Sequence, residues 1–95
     1  MTKIKIDMTH GTYDAVGHAG FGKAGEDIVC AAVSAISQVM VLHAMRHGGA
    51  VTAPEGEVHI TGTDDEWPTV LEACAEVLKM YGMRYPCNVQ VTIRR

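Results

Sequence analysis

Cys30 and His18 are the two residues best suited, by side-chain type and by separation in the sequence, to act as a nucleophile and its base. Cys30 lies in the first turn of a predicted helix, where free backbone amides stabilise an anion and favour the nucleophilic thiolate form of cysteine. His18 lies twelve positions earlier, across a glycine-rich loop that can fold it back over the helix start. A histidine within reach of a cysteine forms the ion pair of thiol catalysis, and amides such as that of Val29 can hold an oxyanion.

Neighbouring polar residues both support and oppose this predicted site. Ser34 follows Cys30 by one turn on the same helical face, where it can anchor the loop or orient a polar partner. Glu26 and Asp27 lie beside the thiol and disfavour its ionisation, so His18 must offset them or Asp27 must turn away. The alternative is that Cys30 is a core residue, because cysteine beside alanine and valine in a helix is often small and buried.

Seven segments carry the periodicity of regular structure. Alternating polar and apolar residues predict strands at 3–8, 13–16, 50–52, 57–61 and 88–94. Helical spacing predicts one helix from Ile28 to about His47 and a second from Asp64 to Gly82. The order β-β-α-β-β-α-β predicts an α+β fold, a mostly antiparallel sheet with two packed helices, as a single domain over residues 1–95.

Residues 17–25 hold a glycine cluster that predicts a loop able to bend sharply or move. The loop matches two phosphate-binding patterns, but the dinucleotide pattern lacks its acid about 20 residues further on. The P-loop pattern has Ala24 where Ser or Thr must bind magnesium, and the two acids that follow would repel phosphate. Phe21 is a large apolar residue that can enter the core or touch a substrate. The loop residues singled out are Gly17, Gly20, Phe21, Gly22 and Gly25.

The composition is that of a small folded domain of 95 residues, 47% of them apolar, with a formal net charge of −3. Mild acidity without a basic cluster argues against binding of nucleic acid or of an anionic membrane. The polar start of the chain and the lack of an apolar run of about 18 residues predict neither a signal peptide nor a membrane span. Three cysteines cannot all pair within one chain, which predicts reduced thiols and a cytoplasmic location.

The other histidines and cysteines are assigned to packing or to the surface. His43 and His47 have the i, i+4 spacing of metal ligands, but no H-E-x-x-H glutamate lies between them, so we expect a solvated or interface pair, with no metal or other cofactor. Cys74 is expected in the core and Cys87 to be partly exposed. The first helix is apolar on nearly every face, which predicts that a sheet covers one side and that a partner subunit covers another.

The segments Gly17-His18-Ala19-Gly20 and Gly25 to Ala35 closely resemble the signature of the ribosomal-processing cysteine proteases, the Prp family. The signature is a Gly-His pair, a glycine-rich loop, then Asp-Ile-Val-Cys-Ala and a serine one turn later. The resemblance implies a small cytoplasmic α+β homodimer. It also implies an enzyme that removes a short N-terminal extension from a bacterial large-subunit ribosomal protein.

The same resemblance implies a role for each matching residue. Cys30 takes the position of the nucleophile, and His18 takes that of the general base and acid. Asp27 and Ser34 match positions that support the site, and the loop from 19 to 25 matches a lid that orders over bound peptide.

Three alternatives stay open at this point. A phage-associated member of the same family would cleave a capsid or scaffold protein. A protein of another class would be a non-catalytic dimeric binding module for ribosome assembly, with Cys30 as a core residue. A thiol-dependent hydrolase of a non-peptide acyl substrate would use the same Cys–His chemistry.

Overall fold

The computed structural model of the protein describes residues 1–17 and 28–95. Its elements are β1 (Thr2–Asp7), β2 (Thr12–Val16), α1 (Ile28–Arg46), β3 (Ala50–Thr52), β4 (Glu57–Thr61), α2 (Trp67–Arg84) and β5 (Val89–Arg94). The order confirms the predicted β-β-α-β-β-α-β arrangement, and no strand boundary differs from its predicted position by more than one residue.

The five strands found in the described residues form a sheet in the order β3-β4-β2-β1-β5. The pairs β1–β2, β2–β4 and β3–β4 are antiparallel, whereas β1 and β5 run parallel. The prediction of an α+β fold with a mostly antiparallel sheet and two packed helices is therefore confirmed. The parallel pair joins the first strand to the last, a contact between distant segments that no local pattern predicts.

Glycines with positive φ angles turn the chain at both ends of β3. Gly48 ends α1 as predicted, with a φ of +78°, and the Gly49 N–H donates to the Ala44 carbonyl at 2.7 Å. Gly56, with a φ of +77°, lies in the predicted hairpin turn between β3 and β4. The first turn returns the chain from the end of α1 to the edge strand β3, and the second joins β3 to β4.

The second helix differs from its predicted bounds at both ends. It begins at Trp67 rather than Asp64, because the Asp64 carboxylate accepts a hydrogen bond from the Glu66 N–H in a turn ahead of the helix. Gly82 lies inside α2 rather than ending it. A Cβ built on Gly82 would lie 3.3 Å from Val91 Cγ2, so this glycine serves a close approach between α2 and β5.

One face of the sheet forms the core and the other is open. Ile4 and Ile6 of β1 are buried, while Lys3 and Lys5 between them point to the open face and are exposed. Both helices pack against the buried face. The core residues that they contribute are Val29, Val33, Met40, Ala44, Trp67, Leu71, Ala75 and Leu78.

α1 also carries apolar side chains that point away from the core. We call four of them, Ile28, Val39, Leu42 and Met45, the outer strip of α1, and all four are exposed. By length and composition α1 could cross a membrane, but the core helix of a globular protein passes the same test. The opposite face of α1 packs against the sheet, so the absence of a membrane span stays a prediction.

Candidate active site

Cys30 is the third residue of α1 and lies half-buried in its first turn. Its side chain packs partly against the core and lines a cavity of about 430 Å³. The first amides of an α-helix have no acceptor within the helix, so they are available to an anion held beside them. The structure therefore gives this thiol both space for a ligand and nearby N–H donors.

The cavity lies between one flank of α1 and the ends of three inner strands of the sheet, β1, β2 and β4. Its α1 wall consists of Cys30, Val33, Ser34, Ser37, Gln38 and Val41. Its other wall consists of Thr2, Ala15, Gly17, Ala53, Gly56, Glu57 and Val58. Most of these side chains are small or apolar, and Glu57 is the one acid among these described residues, so the cavity suits a peptide segment better than a phosphate.

Two serines of α1 contribute hydroxyl groups to this cavity. Ser34 is exposed and lies one turn after Cys30, so the structure brings these two predicted site residues to the same wall. Ser37 is buried, and its Oγ lies 2.6 Å from the hydroxyl of Tyr13. Burial raises the pKa of Tyr13 to about 12, so this hydroxyl stays protonated even at an alkaline pH that ionises an exposed tyrosine.

The Tyr13–Ser37 pair is a part of the site that sequence reasoning missed. Ser37 lies seven positions after Cys30, so helical spacing alone could have placed it on the same face of the helix. The sequence could not predict that Tyr13 is the partner of Ser37, because the two hydroxyls meet only when β2 packs beneath α1. The pair ties the cavity wall to the sheet.

Several predicted site residues lie outside the described residues: His18, Gly20, Phe21, Gly22, Gly25 and Asp27. Gly17, the residue before His18, is described and lines the same cavity as Cys30. Its N–H donates to the Gly56 carbonyl at 2.8 Å, and its φ is +98°. A Cβ built on Gly17 would overlap the Met1 carbonyl oxygen, so only glycine fits here.

A charged cluster on the open face of the sheet was also missed. The register of β2 and β4 sets Asp14 opposite His59, with Nδ1 of His59 2.7 Å from Oδ1 of Asp14. The other ring nitrogen, Nε2, lies 2.8 Å from Oε1 of Glu57, the acid of the cavity wall. Hydrogen bonds to Asp14 and then to Glu57 raise the pKa of His59. With both nitrogens engaged, His59 positions Glu57 and has none to offer Cys30.

The remaining thiols lie away from this cavity. Cys74 is half-buried against the core, and burial raises the pKa of its thiol. Cys87 is exposed in the segment before β5. Among the three cysteines, Cys30 is the one that lines the cavity.

The family model of the cysteine protease Prp matches residues 1–90. The chain belongs to the cysteine protease Prp family. This membership confirms the resemblance seen in residues 17–36 and extends it through both helices into β5.

One curated relative shares a short segment with the chain. The ribosomal processing cysteine protease Prp of Mycoplasma pneumoniae is 58% identical over 33 residues, which make up 35% of this chain and 33% of that protein. The match therefore spans about a third of the length of that relative.

Solved structures share the fold over nearly the whole chain. The S. aureus ribosomal processing protease Prp with a covalently linked product peptide gives a TM-score of 0.82 at 24% identity, covering 99% of this chain and 100% of that one. The same protease with a substrate peptide gives 0.79 at 23% identity, with the same coverage. A Streptococcus mutans protein gives 0.73 at 24% identity, covering 98% and 91% of the two chains.

Proposed function

We propose that the protein is a cysteine endopeptidase that removes the N-terminal extension of a bacterial large-subunit ribosomal protein, with Cys30 as nucleophile and His18 as general base. One observation carries this assignment. Cys30 and Gly17, the residue before His18, line the same cavity from opposite walls. A single peptide unit separates that wall from His18, which supports His18 as the partner of Cys30.

The proposed reaction begins with transfer of the Cys30 proton to His18 and attack of Sγ on the carbonyl carbon of the scissile bond. Amides at the start of α1 stabilise the negative oxygen of the tetrahedral intermediate. His18 then protonates the leaving amine nitrogen, and the C–N bond breaks to leave an acyl-enzyme. A water molecule gives a proton to His18 and attacks the acyl carbon. The C–S bond then breaks, the acyl group leaves as a carboxylic acid, and His18 returns the proton to the Cys30 sulfur.

The neighbouring residues support this chemistry in the proposal. Asp27 orients His18, and Ser34, exposed one turn from Cys30, bonds the loop or the peptide. The glycine loop acts as the lid over the bound segment, and Gly17 is its fixed starting point. No metal or other cofactor takes part in peptide cleavage.

The substrate is proposed from the relatives. The Mycoplasma pneumoniae relative is named a ribosomal processing protease, and the S. aureus structures contain a substrate peptide and a covalently linked product peptide. A cysteine nucleophile forms such a covalent species with its substrate. The small and apolar cavity walls suit a peptide segment, and we place the reaction in the cytoplasm.

The test is cleavage of a large-subunit ribosomal protein precursor, read by mass spectrometry. The parent protein should remove the N-terminal extension, and Cys30→Ala should fold normally and leave the precursor intact. Cys87→Ala, which removes an exposed thiol, is the matched control and should cleave like the parent. Cleavage by Cys30→Ala would refute the assignment. Cleavage of a phage capsid or scaffold protein in preference to the ribosomal precursor would move the substrate to the phage alternative.

Alkylation separates the enzyme from a non-catalytic binding module. In the native protein iodoacetamide should react faster with Cys30 than with Cys87, although Cys87 is the more exposed thiol. An inert Cys30 beside a reactive Cys87 would favour the binding module.

The outer strip of α1 is proposed as the interface of a homodimer. An exposed apolar helix face is stabilised when a second copy of the same face covers it. Met45 on this strip and Met80 on α2 are each 66% exposed, which makes them a matched pair. In sedimentation at micromolar concentration the parent and Met80→Glu should be dimers, and Met45→Glu should be a monomer. A monomeric parent, or a dimeric Met45→Glu, would contradict this interface.

A further inference from the structure

Three potential metal ligands meet at the end of α1 opposite to Cys30. His43 lies in the last turn of α1, His47 directly follows the helix, and Asp64 lies in the connection between β4 and α2. Each offers one donor atom, and these atoms all lie within 4.8 Å of one another. Nε2 of His43 lies 2.9 Å from Oδ2 of Asp64, and the two imidazole rings stack with centroids 4.2 Å apart. Folding has therefore added a carboxylate to the histidine pair.

The feature that points to a ligand is one oxygen of the Asp64 carboxylate. Its Oδ2 accepts hydrogen bonds from the Glu66 N–H and from His43, but its Oδ1 is buried and has no partner among the described residues. The side chains of His43 and Asp64 are only 13% and 15% exposed. A buried carboxylate oxygen without a donor is costly, so such an atom is usually satisfied by a hydrogen bond or a cation.

The donor set identifies the class of cation. Two imidazole nitrogens and a carboxylate oxygen suit Zn²⁺ and similar transition metals, whereas Mg²⁺ and Ca²⁺ prefer oxygen ligands throughout. In a tetrahedral zinc site the donors lie about 3.3 Å apart, so the present spacing must close by about 1.5 Å at most. His47 is exposed at the helix end and can rotate to provide that closure. In such a site water would take the fourth position.

The residues packed around the cluster hold His43 in place. The Trp67 ring packs 6.0 Å from the His43 ring and donates through Nε1 to the Gly11 carbonyl at 2.8 Å. Gly62 lies against the same indole, where a Cβ would overlap the ring. Rigid neighbours of this kind orient metal ligands and lower the cost of binding.

We propose that His43, His47 and Asp64 bind a divalent transition-metal ion, Zn²⁺ in the first place, which ties the end of α1 to the start of α2. His43 follows Cys30 by thirteen positions, so the site lies roughly 20 Å along the helix from the thiol. The metal has no part in peptide cleavage, and the proposal does not depend on the proposed function. Its role is to join two helices that otherwise meet through side-chain packing.

The test measures Zn²⁺ affinity by competition with a chromophoric chelator, with the visible spectrum of Co²⁺ as a second readout. Cys30→Ser and Cys87→Ser together form the parent background, so that neither the cavity thiol nor the exposed thiol competes for the metal, and the Cys74 thiol that remains packs against the core. This parent should bind one ion per chain, and its melting temperature should rise with Zn²⁺ because the ion binds only the folded state. His47→Ala and Asp64→Asn should each weaken the affinity at least tenfold, consistent with the loss of a ligand.

His59→Gln is the matched control. His59 also contacts two carboxylates, but both of its ring nitrogens are engaged, so this variant should bind Zn²⁺ like the parent. His47 is exposed, which keeps the test valid even where Asp64→Asn perturbs folding. Parent affinity in either ligand variant would overturn the site, as would a parent that binds no ion at a concentration of about 1 mM.

Discussion

Each end of α1 carries a group of side chains that can do chemistry, but the two groups are assembled differently. At the N-terminal end the proposed pair, Cys30 and His18, lies within one loop and one turn of the chain. At the C-terminal end His43 and His47 gain their third partner, Asp64, from a connection that follows two further strands. A site built from neighbouring residues can be identified by its spacing, whereas a site completed by tertiary packing cannot.

The largest expected effect is confined to the N-terminal end. Replacing His18 with alanine removes the proposed general base and acid, so kcat/KM for the ribosomal precursor should fall about 10²- to 10⁴-fold. The melting temperature and the Zn²⁺ affinity should be unchanged, because neither depends on this residue in our proposals. Kinetics and thermal unfolding measure the two effects on one preparation.

His10→Ala provides the control for that experiment. His10 lies in the turn after β1, where its Nδ1 contacts Oδ2 of Asp7 at the surface, and it does not line the cavity. Its kcat/KM should equal that of the parent. Full activity in His18→Ala would contradict the assignment of His18 as the base that acts with Cys30.

A smaller effect is expected midway along α1, where Ser37 contacts Tyr13. Ser37→Ala leaves the buried Tyr13 hydroxyl without a partner and should lower the free energy of unfolding by about 1–3 kcal/mol. Tyr13→Phe should cost less, because the Ser37 hydroxyl left behind lines a cavity that water can enter. Urea denaturation measures both values.

The double variant sharpens this prediction. Ser37→Ala with Tyr13→Phe removes both hydroxyls together, so its cost should be smaller than the sum of the two single costs. Strict additivity would show that the 2.6 Å contact does not couple the cavity wall to the sheet. Cleavage should change far less in these variants than in His18→Ala, since neither hydroxyl is a reacting group.

Much of the fold was predictable because its signals are local. Ile4 and Ile6 alternate with lysines and mark the buried face of β1, and Gly48 has the positive φ that ends α1. The predicted bounds of α2 were wrong because contacts with residues distant in sequence outweigh the local preference for starting or ending a helix. The acid expected to begin α2 forms a turn beside His43, and Gly82 continues the helix because β5 packs close to it.

The candidate site likewise has one part that local spacing predicts and one part that forms only through tertiary packing. Cys30 and Ser34 share a face by helical spacing, and the structure places both on one cavity wall. The opposite wall, which includes Glu57, comes from strands that approach only after the sheet has formed. The parallel pairing of β1 with β5 was equally invisible, because it joins the two ends of the described chain.

The smallest expected effect lies in the His59 cluster on the open face of the sheet, opposite to the face on which the helices pack. Bonds to Asp14 and Glu57 raise the pKa of His59 above its usual value of about 6.5. The protonated ring therefore stabilises the fold fully below about pH 6.5, and this contribution is lost as the pH rises through the folded-state pKa. The difference in the free energy of unfolding between the parent and His59→Gln should be largest at acidic pH and should disappear at alkaline pH.

Asp14→Asn should flatten that pH dependence, because the Asp14 carboxylate supplies the largest part of the shift. Urea denaturation of the three proteins across the pH range measures the slopes. A gap that widens as the pH rises would mean that the neutral ring, rather than the charged one, is the stabilising form. Cleavage at fixed pH should respond to His59→Gln only through Glu57, the one residue that this cluster shares with the cavity wall.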